Sequence, residues 1–239
     1  MIDINCDVAE GVNNEHLIMP LISSCNISCG AHAGSVEVID KVIQLALENN
    51  VKIGAHPSFA DRENFGRKIL EISNEELQES LVEQLTLFKE RAVLQNATIH
   101  HVKPHGALYN LIAVNEEKAI VVVKAIQVIF DKVKLYVPYN SVIERVAQEN
   151  EIEIVYEAFA DRNYNDNLTL VSRSLPYAII SDKEKVIQHV KKMSEESKVK
   201  TVQGNEQEIK AQTFCVHGDN EKAIEILEEL HKELMSAQA

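Results

Sequence analysis

The sequence predicts an α/β fold built on a parallel sheet with helices outside it, and three observations point to it. Short β-like runs alternate with helical patterns along nearly the whole chain. Parity within those runs separates an apolar from a polar face. Ionisable side chains gather where successive runs end. A closed barrel and an open doubly wound sheet share this rhythm, so periodicity leaves both open. No internal repeat, low-complexity run or Pro/Gly/Ser linker interrupts the 239 residues, so one domain over residues 1–239 is expected.

Taken in order, residues 2–8 and 22–28 read as strands and 36–48 as a helix. A strand over 51–56 leads to a helix over 75–94, opened by a capping box in Ser73 and Glu76. A strand over 97–103 leads to a helix over 116–130. A strand over 133–138 leads to a helix over 142–148, capped by Ser141 and Glu144. A strand over 152–159 is followed by an irregular stretch with extra strands expected at 168–171 and 199–202, and a helix over 183–193 capped by Ser181 and Glu184. A strand over 213–217 and a helix over 221–235 complete about seven strand-then-helix units.

In residues 2–8, Ile2, Ile4, Cys6 and Val8 are apolar while Asp3, Asn5 and Asp7 are polar. If the apolar set packs on helices, the acidic set faces the other way, toward a barrel interior. The same parity pairs Glu153 with Glu157, Cys215 with His217, and His101 with Lys103 and His105. Polar groups also fall at the strand ends: Asp7 and Glu10; Asn26 and His32; His56; Lys103 and His105; Tyr139 and Asn140; Glu157, Asp161 and Arg162; His217 and Asp219. Ligands of parallel α/β folds bind at the carboxyl ends of strands, so an active-site mouth is expected there. Asp219 also fits a helix N-cap, and His16, His189 and His231 read as solvated surface. Gly54 and Gly106 suit ligand-facing turns.

The net charge of -13 argues against nucleic acid or an anionic membrane as partner. Residues 1–5 lack a basic or continuously apolar leader, and the longest apolar patch, over 119–130, is too short to span a bilayer. With only Cys6, Cys25, Cys29 and Cys215, a disulfide framework is not expected, and a reduced, cytoplasmic protein fits best. Neither a P-loop nor a Rossmann glycine pattern occurs.

The motifs NCDVAEG (5–11), NISCGAHAGS (26–35), IGAHPSFADRENFGRK (53–68), HVKPHGALYN (101–110), EAFADRNY (157–164) and CVHGDN (215–220) follow one another in this order. Together they resemble the LamB/YcsF family, regarded as the A subunit of the bacterial ATP-dependent 5-oxoprolinase. Ser35, Asn64 and Lys68 depart from the family pattern, and the loop after Gly11 is shortened. The resemblance implies a distorted seven-stranded parallel β/α barrel, TIM-like and similar to glycoside hydrolase and deacetylase barrels. It also implies cleavage of 5-oxo-L-proline to L-glutamate coupled to hydrolysis of ATP to ADP and phosphate, with ATP as co-substrate and subunits B and C as partners.

Opening a lactam through its phosphorylated carbonyl needs cations for the phosphoryl charge, a carboxylate base and a substrate clamp. Asp7, Glu10, Lys103, His105, Glu157 and Arg162 are the catalytic candidates; Asn26, His32, His56, Tyr109, Asp161, His217 and Asp219 are the substrate-binding ones. Two alternatives stand beside this reading. A deacetylase-like hydrolase would bind a divalent metal through Asp7, His32 and His56. A non-catalytic substrate-binding subunit would leave the chemistry to its partners.

Overall fold

The structure, a computed structural model, describes residues 2–236. Strand β1 (Asp3–Val8) is followed by the short helix α1 (Glu15–Ile18), then β2 (Ser24–Ser28), α2 (Val36–Glu48), β3 (Lys52–His56), α3 (Asn74–Leu94) and β4 (Ile99–Val102). Helices α4 (Gly106–Ile112) and α5 (Glu116–Ile129) lead to β5 (Lys134–Pro138), α6 (Val142–Glu149) and β6 (Ile154–Phe159). After a long excursion come α7 (Lys183–Glu195), a two-stranded antiparallel ribbon of β7 (Lys198–Lys200) and β8 (Glu206–Glu208), then β9 (Thr213–His217) and α8 (Ala223–Ser236). Strands β1 to β6 and β9 close a seven-stranded parallel barrel, β9 pairing with both β6 and β1. Of the two architectures the rhythm allowed, the chain adopts the closed one.

The parity expected from sequence is realised. Ile4, Cys6, Val8, Cys25, Ile27, Ile53 and Ala55 turn outward and are buried with Ile39, Val42 and Ile43 of α2 and Leu77, Leu81, Leu85 and Phe88 of α3. That apolar shell is the main source of stability, roughly 25 cal/mol for each Å² removed from water. Glu153, by contrast, precedes β6 and pairs with Lys134 on the exposed rim, so only Glu157 of the two reaches the interior.

Local signals explain most helix starts. Ser73 accepts from the Glu76 amide while the Glu76 carboxylate accepts from the Ser73 amide, completing the expected capping box. Ser35 caps α2 by accepting from the Val38 amide. Helix α7 is capped by Asp182, one residue beyond the expected Ser181, because the Asp182 carboxylate is what meets the Lys185 amide. Gly106, expected at a ligand-facing turn, opens helix α4, which no sequence pattern marks: it holds φ +55 at the first position, where an added Cβ would lie 2.8 Å from the Gly66 carbonyl oxygen. Of the extra strands, residues 168–171 contribute only a bridge between Tyr164 and Leu170, whereas 199–202 overlaps β7.

Candidate active site

The barrel interior is filled in two polar layers. The lower one links side chains of β1, β2, β4, β5 and β9. Asn5 Nδ2 donates to Thr213 Oγ1 at 2.8 Å, and the hydroxyls of Thr213 and Ser24 both donate to Asp3 Oδ1 at 2.7 Å. Asn26 Nδ2 donates to Asn5 Oδ1 at 2.7 Å and to Asp7 Oδ1 at 2.8 Å, while its Oδ1 accepts from His101 Nε2 at 2.7 Å. The His101 ring stacks on Tyr136 with centroids 3.9 Å apart. Burial first, then the charges of His100 and Lys103, hold His101 well below the usual histidine range, so it is neutral. Gly54 therefore serves the interior rather than a ligand turn: a Cβ there would lie 2.1 Å from His101 Nε2, and the β3–β4 register shifts beside it.

Above this layer stands Lys103, almost fully buried. Its ammonium donates to Asp7 Oδ1 at 2.9 Å, to Cys215 Sγ at 3.0 Å and to Asn5 Oδ1 at 3.4 Å, and lies 2.9 Å from Glu157 Oε1. Glu157 pairs with the ammonium by charge, and among the described residues neither of its oxygens accepts a well-directed hydrogen bond. Desolvation opposes the charged form of Lys103, but Asp7, Cys215 and Glu157 outweigh it and raise its pKa well above the ordinary value. Burial likewise pushes the Asp7 carboxyl up, yet His56 and Lys103 hold it well below the usual range. Both therefore stay ionised. Phe159 packs under the ammonium, 5.2 Å from ring centroid to Nζ, and the Tyr109 hydroxyl borders Glu157, with burial first and that carboxylate second keeping it protonated.

Beside Lys103, Glu10, His32, His56 and His105 bring their ligand-type atoms within 4.8 Å of one another. Ala9, at φ 62 in the left-handed region, turns the chain just before Glu10. The carboxylate Oε1 lies 3.0 Å from His32 Nε2, 3.2 Å from His105 Nδ1 and 3.7 Å from His56 Nε2. His32 and His105 stack with centroids 3.9 Å apart. Burial is the largest influence on His32 and lowers it to about 4; it lowers His105 as well. Burial pushes Glu10 up, but hydrogen bonds from His105 and His32 more than reverse it.

Of these groups, Asp7, His56, Lys103, His105, Tyr109 and Glu157 line a cavity of about 700 Å³, together with Arg162 and His217, whereas Glu10 and His32 do not line it. Other expected residues serve it indirectly. Asp161 Oδ1 lies 2.8 Å from His217 Nδ1 and Oδ2 accepts from Asn220 at 3.1 Å, so it orients His217. Arg162 lines the cavity, but its Nε and Nη2 donate to the carbonyls of Ala178 and Val171 and hold the excursion after β6 in place. Asp219 sits at the rim between Arg67 and Arg173 rather than capping α8. Asp7, expected with His32 and His56 as a metal ligand, gives Oδ1 to Lys103 and Asn26 and sets Oδ2 3.4 Å from His56 Nε2, while Glu10 and His105 gather with both histidines.

Sequence reasoning missed Cys215 as a Lys103 partner, although its parity with His217 was the available signal. It also missed Arg67 and Arg173, which nothing in strand parity marks because both lie on loops. His189, expected at the surface, is largely buried, and burial lowers it to about 4.

Known proteins share this architecture. A crystal structure of the lactam utilization protein from Thermus thermophilus superposes with a TM-score of 0.92 at 32% identity, covering 99% of this chain and 97% of that one. A GH113 β-1,4-mannanase aligns with a TM-score of 0.52 at 10% identity, a likeness of fold alone. In sequence, the 5-oxoprolinase A subunit of Bacillus cytotoxicus (strain NVH 391-98) is 40% identical over 236 residues, 97% of this chain and 94% of that protein. The Haemophilus influenzae (strain PittEE) protein of the same name is 40% identical over 235 residues, 97% of this chain and 96% of the relative. The family model described as LamB/YcsF matches residues 2–239, and the chain belongs to that family.

Proposed function

We propose that this chain is the A subunit of an ATP-dependent 5-oxoprolinase, opening the lactam of 5-oxo-L-proline to L-glutamate while ATP is hydrolysed to ADP and phosphate. Subunits B and C complete the enzyme. The relatives' names support the substrate, and one arrangement on this chain supports the chemistry: a buried ammonium, Lys103, set between two carboxylates at the wall of a substrate-sized cavity.

A lactam carbonyl is a weak electrophile until its oxygen carries a phosphoryl group. Lys103 is placed to stabilise the charge on that oxygen in a site where water does not screen it. Water then adds to the ring carbon, the carbon–nitrogen bond breaks with a proton delivered to nitrogen, and a second water releases phosphate. Glu157 is the suited base, because its oxygens are not tied up in directed hydrogen bonds. Asp7, held ionised, is the counter-ion that keeps Lys103 charged. His217, oriented by Asp161 and stacked on Phe159, is available to deliver the proton at the ring nitrogen. Arg67 and Arg173 at the rim suit an anionic substrate group.

The test is glutamate release from 5-oxoproline by this chain reconstituted with subunits B and C, with ATP present or withheld. Turnover that needs ATP and all three chains supports the reading. Glutamate release indifferent to this chain, or to its Glu157→Gln variant, overturns it.

A further inference from the structure

The three histidines beside Lys103 have their protons assigned by their outer neighbours. His56 Nδ1 lies 2.6 Å from the Lys103 carbonyl oxygen, and His105 Nε2 lies 3.0 Å from that of Phe65. Carbonyl oxygens only accept, so both nitrogens carry hydrogen. His32 Nδ1 lies 2.8 Å from Ser58 Oγ, whose own hydrogen goes to the Phe59 carbonyl at 2.8 Å, so this nitrogen too is the donor. A neutral imidazole has one hydrogen. In a neutral ring each inner nitrogen, His32 Nε2, His56 Nε2 and His105 Nδ1, turns a lone pair toward the Glu10 carboxylate, and it donates there only when the ring takes up a second proton.

With neither a cation nor a second proton on a ring, that arrangement is repulsive. His56 Nε2 and His105 Nδ1 face each other at 2.9 Å, and Glu10 Oε1 stands 3.2 Å from the latter. The surrounding charges add to the repulsion: Asp7, Glu10 and Glu157 set three carboxylates against one ammonium, Lys103, leaving two buried negative charges among these groups. The spacing fits a cation. Metal bonds of 2.0–2.1 Å in a tetrahedron put ligand atoms about 3.3 Å apart. Four of the six edges are 2.9, 3.0, 3.2 and 3.7 Å, and the two from His32 to His56 and His105 lie within 4.8 Å. An outer hydrogen bond to a fixed acceptor on each ring is what orients metal-binding histidines. The other cluster of this kind, Asp7, Cys215 and His217, does not compete, because the Lys103 ammonium already lies against Asp7 and Cys215.

We propose that Glu10, His32, His56 and His105 form a four-ligand site for a divalent metal of the zinc class, next to Lys103 at the cavity wall. With all four positions taken by protein, a metal there would fix the rings and offset the Glu10 charge, and it would act as a Lewis acid only by accepting a fifth ligand from the cavity. The site stands on side-chain geometry, so it holds or fails independently of lactam opening.

The experiment is calorimetric titration of chelator-treated full-length protein with zinc, joined to visible spectroscopy with cobalt in its place. One equivalent should bind, with the intense visible bands of four-coordinate cobalt. Glu10→Gln and His105→Asn should each weaken binding by more than about 100-fold. Ser58→Ala, which removes only the outer partner of His32, should weaken it by about 10–100-fold with the fold intact by circular dichroism. His189→Asn, far from the cluster, should bind as the parent does. Failure of the parent protein to bind one equivalent overturns the proposal. So does binding that Glu10→Gln, His105→Asn and Ser58→Ala all leave unchanged. Zinc binding without ATP-dependent glutamate release would retain the metal site and discard the function proposed above.

Discussion

The two polar layers inside the barrel are both buried and share strands β1 and β9, yet they differ in chemistry. In the lower layer Asn5, Asn26, Thr213, Ser24 and His101 are neutral, and their buried side-chain nitrogen and oxygen atoms all have partners among the described residues. In the upper layer Lys103 and Asp7 are held ionised, Glu157 keeps uncommitted oxygens, and three imidazole rings face one carboxylate. A completed hydrogen-bond network specifies a fold; groups left charged and incomplete are what a substrate or ion can complete. Burial alone does not separate a structural residue from a functional one. Completion does.

The largest test of that contrast is Lys103→Met. Loss of the charge should lower kcat of the reconstituted enzyme by about 100- to 1,000-fold or more. Two carboxylates would be left facing each other without their counter-ion, so stability should also fall, by about 3–5 kcal/mol. Denaturant titration alongside the assay separates the effects. A variant retaining turnover within a few-fold would remove Lys103 from the chemistry.

Gly54→Ala strikes the lower layer alone. The new Cβ meets the His101 ring, and an overpacked interior costs about 1–3 kcal/mol. Thermal unfolding should shift down by about 2–4 °C for each of those kcal/mol. Adding His101→Ala should recover part of the loss, because the ring that clashes is gone. A double variant worse than the sum of its parts would contradict that packing.

His101→Ala by itself should cost about 1–3 kcal/mol, since Asn26 Oδ1 loses its donor in a buried setting. The kcat of the folded fraction should stay within a few-fold of the parent, the reverse of the Lys103 result. A large kcat loss at unchanged stability would move His101 into the upper group.

His189 supplies the smallest effect and a control. Its Nε2 is buried without a hydrogen-bond partner among the described residues, and Asp161 is the one carboxylate whose charge acts on it, against the larger effect of burial. Its folded pKa, about 4, lies below the ordinary 6.5, so the unfolded chain takes up a proton first as the pH falls. Its contribution to stability is complete above about pH 6.5 and is lost between there and about pH 4. His189→Gln should flatten that part of the pH–stability curve measured by urea unfolding, with turnover at neutral pH unchanged. A curve that keeps its full slope would show that other groups account for the acid sensitivity.

Much of this was legible in the sequence because strand parity is rigid. Alternation alone put Asn5 and Asp7, Lys103 and Cys215 on interior faces, and capping residues fixed α3 closely. What parity does not carry is height inside the barrel or the course of a loop. His101 and Lys103 share a face two residues apart, and only their neighbours, Asn26 and Tyr136 below and Asp7 and Glu157 above, make one structural and the other reactive. Arg162 looked like a cavity cation and is occupied by the carbonyls of its own excursion, a contact across 9 and 16 residues that no local pattern signals.

A parallel β/α chain with its ionisable groups at the strand ends was already written in the order of residues, since period-two alternation and the covalent succession of strand and helix are local properties. Closure of the barrel through β9 was settled only in three dimensions, and with it which end groups meet. Closure brings Cys215 across to Lys103, 112 residues away, and the left-handed turn at Ala9 precedes Glu10, which meets all three histidines. Side chains from separate strands converge only once register and stagger are fixed, and those are set by packing of the whole barrel rather than by any one segment.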